Sequence, residues 1–157
     1  GRAGRAEGNG QVVIQTYSPE HTVIVLASKH DYKSFYQREV AARRNAMFPP
    51  YAVFLRILFM GLHEEQVREV AERFGQGVRK VIEDALEREK ADKRELLFLT
   101  CSPSPIKRKQ GQYRYQVLIK LARTRNTGSV IGEIYHYSDQ HRNDCFSVLE
   151  VNPEDMF

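Results

Sequence analysis

The sequence has few of the residues that build metal sites or disulfide frameworks. Its 157 residues include two cysteines, Cys101 and Cys145, which stand 44 positions apart. There is no Cys-x-x-Cys pair, so the four-ligand pattern of a structural zinc site is missing. Two isolated cysteines are typical of a cytoplasmic protein whose thiols stay reduced. We therefore expect two half-buried free thiols and no metal held by this chain.

Long apolar runs are missing as well. The most apolar stretch, 51–62, is too short to cross a bilayer and contains Arg56. No segment has the pattern of a secretory signal peptide. These features predict a cytoplasmic protein with no membrane partner.

Acidic residues are missing from one long segment, although the chain contains 20 of them in all. Between residues 101 and 127 there are seven basic residues and no acidic residue. The next segment, 128–157, has one basic residue and six acidic ones. The net charge of +4 therefore hides a strongly cationic region. Such a local excess of charge predicts a polyanionic partner.

No catalytic constellation is recognisable. The five histidines form no pattern of general acid and base, and no serine or cysteine has a base at a recognisable spacing. We expect this chain by itself to bind its partners without catalysis.

The beginning of the chain is predicted to hold one strand and two helices. The strand covers 11–16, where Gln-Val-Val-Ile-Gln-Thr is rich in β-branched residues. A short helix is predicted over 20–30, and Asp31 is a good N-cap for the helix that follows it.

A domain boundary is predicted where that second helix ends. Pro49 and Pro50 stop the helix because neither can donate a backbone hydrogen bond. We therefore predict two domains, 1–50 and 51–157.

The second domain shows the order β-α-β-β-α-β. The predicted strands are 51–60, 96–101, 113–121 and 145–151, and the predicted helices are 63–89 and 127–140. Alternation in the third strand places Arg114, Gln116 and Lys120 on its polar face. Residues 102–111 are predicted to form a long basic connection. The predicted class is α+β, and the order is that of a ferredoxin-like sandwich.

Several short motifs occur in a fixed order along nearly the whole chain. They are Gly-Arg-Ala-Gly-Arg-Ala at 1–6, Val-Val-Ile-Gln-Thr-Tyr-Ser-Pro-Glu-His at 12–21, Phe-Pro-Pro-Tyr at 48–51, Pro-Ser-Pro-Ile at 103–106 and Tyr-Arg-Tyr-Gln at 113–116. Together they resemble the C-terminal end of the primosomal protein N′ (PriA) family, the superfamily-2 DNA helicases of bacterial replication restart. The resemblance implies a C-terminal piece of a larger protein. Residues 1–50 would complete a RecA-like helicase lobe, and 51–157 would form a C-terminal domain similar to a small-subunit ribosomal protein.

The resemblance also implies an activity, cofactors and partners for the intact protein. The activity is ATP-dependent 3′-to-5′ DNA unwinding at stalled or branched replication forks in the bacterial cytoplasm. It requires ATP and Mg²⁺, and the family carries zinc. The family's P-loop and zinc-binding cysteines do not occur in this sequence, so no cofactor is expected on this piece. The implied partners are branched and single-stranded DNA, the acidic tail of single-stranded DNA-binding protein, and other primosome proteins.

Candidate site residues follow from the motifs and from the charge pattern. The resemblance assigns Arg2 and Arg5 to an arginine-finger motif that contacts nucleotide phosphate in the intact protein. The residues expected to contact DNA are Lys107, Arg108, Lys109, Arg114 and Lys120. Arg114 and Gln116 are also expected to hold the partner's acidic tail. The chain departs from the family at Gln112, where many relatives carry a basic residue.

Two other functions fit part of this pattern. A free-standing ferredoxin-like RNA-binding module explains the cationic segment and the order of elements, but it leaves Gly-Arg-Ala-Gly-Arg unexplained. A small-molecule regulatory domain, common on this fold, predicts a ligand between paired sheets and gains no support from the basic segment. A P-loop and a cysteine-rich insertion upstream would discriminate between these alternatives and a helicase.

Overall fold

The computed structural model describes residues 12–141 and 145–153. The elements in chain order are α1 (Thr22–Ser28), α2 (Tyr32–Asn45), β1 (Ala52–Gly61), α3 (Glu64–Arg88), a 3₁₀ turn (Lys93–Glu95), β2 (Leu96–Lys109), β3 (Gln112–Ala122), α4 (Thr127–Gln140) and β4 (Phe146–Val151). The class is α+β, as predicted, with one four-stranded antiparallel sheet. The chain divides into two compact units, 1–42 and 43–157. The domains proposed from the sequence, 1–50 and 51–157, stay predictions.

The predicted strand at the start of the chain is wrong for residues 12–16, which form neither strand nor helix. Gln11 lies outside the described residues. A β-rich composition makes a strand only where a neighbour pairs with its backbone N–H and C=O groups. None of the four strands pairs with this segment, so its composition alone does not make it a strand.

The two helices of the first unit form where the sequence predicts them. The carboxylate of Asp31 accepts a hydrogen bond from the backbone N–H of Ser34 at 3.1 Å, which satisfies one free donor of the first turn of α2. Hydrogen bonding from Ser34 also holds the pKa of Asp31 below its usual value. The predicted N-cap is confirmed.

The strand order β2-β3-β1-β4 places β1 and β3 at the centre of the sheet. Residues 52–59 of β1 are all buried, as expected of a central strand, and the strand predicted over 51–60 is confirmed. Alternate residues of β3, among them Val117, Ile119 and Leu121, lie on the core side, where α3 and α4 cover the sheet. The opposite side, which we call the second face, carries Gln116 and Lys120 because successive side chains of a strand point to opposite faces.

One face of α3 packs against the sheet to form the core. The buried residues of α3 are Val67, Val70, Ala71, Phe74, Gly75, Val78, Ile82, Ala85 and Leu86. Val81 is half-buried. At the centre, the rings of Phe59 and Phe74 meet edge to face with centroids 5.2 Å apart. Val130 and Ile134 of α4 complete the same cluster.

Glycine is unfavourable inside a helix, but close packing against α4 explains why Gly77 is a glycine in α3. A Cβ at this position would collide with the hydroxyl of Tyr137 from α4. We expect Gly77→Ala to lower the free energy of unfolding by about 1–3 kcal/mol, the usual cost of overpacking. The matched control is Gly132→Ala in α4, where a Cβ meets no atom within 4 Å and should stabilise by about 0.5–1 kcal/mol. Urea unfolding of both variants measures whether the free energy of unfolding falls or rises. A Gly77→Ala protein that is more stable than the wild type would contradict the packing argument.

The predicted loop over 102–111 is wrong, because β2 continues through it to Lys109. The strand turns into β3 at Gln110 and Gly111, whose φ angles are 52° and 82°. Two positive φ angles in a two-residue connection are those of a tight hairpin turn that matches strand twist. The sequence predicts a loop because Pro103 and Pro105 are unusual inside a strand. They are tolerated here because β2 is an edge strand, where a missing donor can face away from the sheet.

Candidate nucleic-acid and partner interface

The end of the β2–β3 hairpin carries three consecutive cations, Lys107, Arg108 and Lys109, which we call the hairpin cations. All three side chains are exposed, and none forms an ion pair with a carboxylate among residues 12–141 and 145–153. The guanidinium of Arg108 lies 4.9 Å from the ring centroid of Tyr113, and its Nε donates to the carbonyl of Gly111 at 3.4 Å. The hairpin therefore presents an uncompensated positive charge, and Arg108 is held in place by its neighbours.

Arg114 and Gln116 lie next along β3 on the second face. Gln116 is 4% exposed, and Arg114 is half-buried. The Nε of Arg114 and the Oε1 of Gln116 are buried with no hydrogen-bond partner in the described chain. A buried donor and a buried acceptor without partners each cost free energy. The structure thus brings both predicted tail-binding residues together, each with an unused polar atom.

Lys120 is in a different situation from the hairpin cations. Its Nζ donates to the carbonyl of Ala46 at 2.9 Å and lies 4.9 Å and 5.2 Å from the ring centroids of Phe48 and Phe54. It is seven residues from Tyr113 along β3, which corresponds to roughly 23 Å at the rise of an extended strand. The five predicted DNA-contact residues therefore do not form one cluster.

Phe98 is a candidate site residue that the sequence did not indicate. It is directly opposite Lys120 in the pairing of β2 with β3, and it is 44% exposed. A residue's neighbour across a strand depends on register, which the amino-acid pattern around Phe98 does not reveal. Only the hydrophobicity of Leu97 and Phe98 in an edge strand offered a signal.

The two tyrosines beside Arg114 have different surroundings. Tyr115 packs against the hydrophobic core, and burial raises the pKa of its hydroxyl. Tyr113 instead supports Arg108 through its ring. Tyr113 therefore stands between the hairpin cations, of which its ring contacts Arg108, and Arg114 of the buried polar pair, which follows it in the chain.

Cys101 and Cys145 form no disulfide and are both half-buried, as predicted. Burial raises the pKa of Cys101 to about 11, so this thiol is protonated and unreactive at neutral pH. In the part of the chain that the structure describes, no three His, Cys, Asp or Glu side chains are grouped to hold a metal ion. No described helix is long and apolar enough to cross a membrane. Arg2 and Arg5 lie outside the described residues.

Comparisons with known proteins agree on one family. A family model described as the primosomal protein N C-terminal domain matches residues 44–153. The replication restart protein PriA of Bacillus subtilis is 34% identical over 155 residues, which cover 98% of this chain and 18% of that protein. The protein of the same name from Chlamydia pneumoniae is 34% identical over 123 residues, covering 78% of this chain and 15% of the relative. That of Haemophilus influenzae is 25% identical over 156 residues, covering 99% and 20% respectively.

The chain therefore spans a fifth or less of the length of these relatives. Among solved structures, a de novo designed protein named Foldit4 is similar over 64% of this chain and 93% of its own, at 18% identity and a TM-score of 0.37. A likeness that low carries no assignment of fold. The family model, in contrast, covers nearly the whole second unit, including the hairpin cations, Arg114 and Gln116. The chain belongs to the family of primosomal protein N C-terminal domains.

Proposed function

We propose that this chain is the DNA- and partner-binding C-terminal part of a replication-restart helicase. The observation that carries the proposal is the set of hairpin cations, three exposed charges without a carboxylate partner in the described chain. They belong to a segment, 101–127, that has no acidic residue. Exposed lysines and arginines bind DNA by neutralising phosphates and releasing counterions, without reading sequence. The relatives are named replication restart proteins, and this supplies the context.

We propose the following activity, cofactors and partners for the intact protein. It is an ATP-dependent 3′-to-5′ helicase of the bacterial cytoplasm that recognises stalled or branched forks and works with other primosome proteins. ATP and Mg²⁺ serve the helicase lobes, zinc is bound elsewhere, and Arg2 and Arg5 contact nucleotide phosphate. This chain alone binds none of these cofactors and does not hydrolyse ATP.

Two features of the fold support the domain assignments within this proposal. Strand order β2-β3-β1-β4 with helices on the core side fits a ferredoxin-like, ribosomal-protein-like domain. Neither α1 nor α2 buries a residue, and Tyr32 and Tyr36 are 72% and 55% exposed. Helices of this kind gain their stability by packing against other structure, which fits the end of a helicase lobe.

The test of DNA binding is a salt titration of forked and single-stranded DNA with the whole chain. The affinity should fall steeply with salt and depend little on sequence. Preferential binding of structured RNA over forked DNA would favour the RNA-binding module instead.

A second binding function, for the acidic tail of single-stranded DNA-binding protein, rests on the polar pair of the second face. An arginine Nε donates to a carboxylate, and a glutamine Oε1 accepts from a peptide N–H. Arg114 and Gln116 have these two atoms buried and unpartnered in the described chain. A peptide that ends in acidic residues and a free carboxylate carries a partner for each of these atoms, which a movement of the two side chains on binding would expose.

We expect Arg114→Ala to weaken binding of such a peptide about tenfold, since a hydrogen bond to a charged group contributes about 1.5–3 kcal/mol. Fluorescence anisotropy of a labelled acidic peptide measures the affinity. Arg125→Ala is the matched control, because it removes the same charge from an exposed position in the same acid-free segment. Gln112→Lys should strengthen binding, since it adds a cation two residues away on the same face of β3. Equal losses in Arg114→Ala and Arg125→Ala would mean that only net charge matters.

A further inference from the structure

An open groove of about 470 Å³ lies at the end of the sheet opposite the hairpin turn, within the second unit. It is lined by Met47, Phe48, Phe54, Leu97, Phe98 and Lys120. Phe54, Lys120 and Phe98 are paired across three neighbouring strands, so they form one row on the second face. Phe48 reaches the row from the segment before β1, with its ring 5.4 Å from that of Phe54.

A bulge in β2 exposes the apolar wall of this groove. Leu96 pairs with Leu121, and Phe98 pairs with Lys120. One extra residue of β2, Leu97, therefore lies between two consecutive pairs. The extra residue breaks the alternation of faces, and Leu97 and Phe98 are both left 39–44% exposed. The exposed wall is therefore built by a specific backbone feature at the edge of the sheet.

The charge of the groove is positive and local. None of the described residues that line it is acidic, and Lys120 belongs to the acid-free segment 101–127. The ammonium group of Lys120 donates one hydrogen bond to Ala46 and lies near two phenyl rings. An ammonium has three N–H donors, so it retains donors for an incoming ligand. The groove thus combines aromatic faces with a fixed cation.

We propose that this groove stacks an unpaired nucleobase of single-stranded DNA, with Phe98 as the stacking ring and Lys120 as the donor beside it. The inference rests on the proposed DNA-binding function. It adds that this end of the domain binds single-stranded DNA rather than a duplex. An aromatic ring in a cationic surface binds single strands because every base has a π-face and every linkage a phosphate. A duplex keeps its base faces stacked on one another, so it cannot fill the groove.

An acidic peptide is the competing occupant, and the structure favours the base. Seven cations are spread over the segment 101–127. This spread matches the regularly spaced phosphates of a polynucleotide better than it matches the few carboxylates of one short acidic peptide. A carboxylate would instead find a buried, unpartnered donor at Arg114. The Nζ of Lys120 already has a carbonyl partner.

The experiment compares oligothymidylate with an abasic oligonucleotide of equal length and equal phosphate number, using the whole chain and fluorescence anisotropy. We expect the wild type to prefer the oligonucleotide with bases by about tenfold. Phe98→Ala and Phe98→Leu should lose this preference while binding the abasic strand as before, and Phe98→Tyr should keep it. Tyr135→Ala is the matched control, since Tyr135 is a similarly exposed aromatic residue, 43%, on α4. Thermal melting of each variant verifies folding, and Phe98→Leu retains the apolar contact should Phe98→Ala unfold.

The outcomes separate this inference from the proposed function. Equal affinity of the wild type for the two strands, with a steep salt dependence, would overturn base stacking and leave phosphate binding intact. A preference that survives in Phe98→Leu would also overturn it, as would an acidic peptide whose binding is abolished by Phe98→Ala. Binding that does not change with salt would overturn the DNA-binding function itself.

Discussion

Replacement of Lys107, Arg108 and Lys109 together by alanine is expected to flatten the salt dependence of DNA binding by roughly two to three units of slope. Each phosphate contact contributes about 0.7–0.9 to the slope of log affinity against log salt, depending on whether the DNA is single- or double-stranded. The hairpin cations are exposed and have no carboxylate partner in the described chain, so each can meet a phosphate. At low salt the affinity should fall by roughly two to three orders of magnitude.

The fold should tolerate this change. Its largest intramolecular loss is the contact of Arg108 with the ring of Tyr113, and an exposed cation–π pair contributes about 0.5–1 kcal/mol. A matched control removes three exposed cations away from the hairpin, Arg79 and Lys80 of α3 and Lys93 of the 3₁₀ turn, and should leave the slope nearly unchanged. If both triple variants change the slope equally, the DNA responds to net charge rather than to the hairpin.

The largest effect on stability is expected at the ion pair between Arg56 of β1 and Glu150 of β4. The Nε of Arg56 lies 2.6 Å from Oε2 of Glu150, and the two side chains are 8% and 38% exposed. Glu150→Ala leaves the buried guanidinium without this carboxylate, and breaking a buried pair from one side costs about 3–5 kcal/mol. We expect about 3 kcal/mol, at the lower end, because water reaches the carboxylate side of the pair.

A second substitution turns this prediction into a test of mechanism. In Arg56→Met/Glu150→Ala the buried charge is gone, and replacing a buried ion pair by apolar residues is often neutral. The double variant should therefore recover most of the stability lost in Glu150→Ala, as measured by urea unfolding of the two proteins and the wild type. A double variant that is less stable than Glu150→Ala would show that Arg56 acts through packing or its other contacts and not through its pairing with Glu150.

Local periodicity predicted most of the second unit correctly. The observed bounds of β1, α3, β3, α4 and β4 agree closely with the predicted ones. In α3, β3 and α4 the apolar residues recur with the period of the element, and they bury that face against the common core. β1 is instead apolar nearly throughout and is buried on both faces. The acidic first turn of α3, Glu64 and Glu65, marked its start in the same way.

The two errors concern segments whose structure depends on a partner. Residues 12–16 have the composition of a strand, but no strand in the described chain pairs with them. Residues 102–109 have the composition of a loop, but the two ends of this stretch, 102–103 and 108–109, pair with β3 from an edge position, with a register shift between them. In both cases the backbone hydrogen bonds to a distant segment decide the outcome, and composition does not encode them.

The sequence by itself determined the charge of the cationic segment, the order of the elements and the family, because these depend on residue types and their spacing along the chain. Only the tertiary structure decided what each cation is able to do. It leaves the hairpin cations exposed, buries an unpartnered atom of Arg114, and ties Lys120 to Ala46, 74 positions away. The physical reason is that a side chain's partners are set by strand register and long-range packing, which bring together residues that are far apart in the chain.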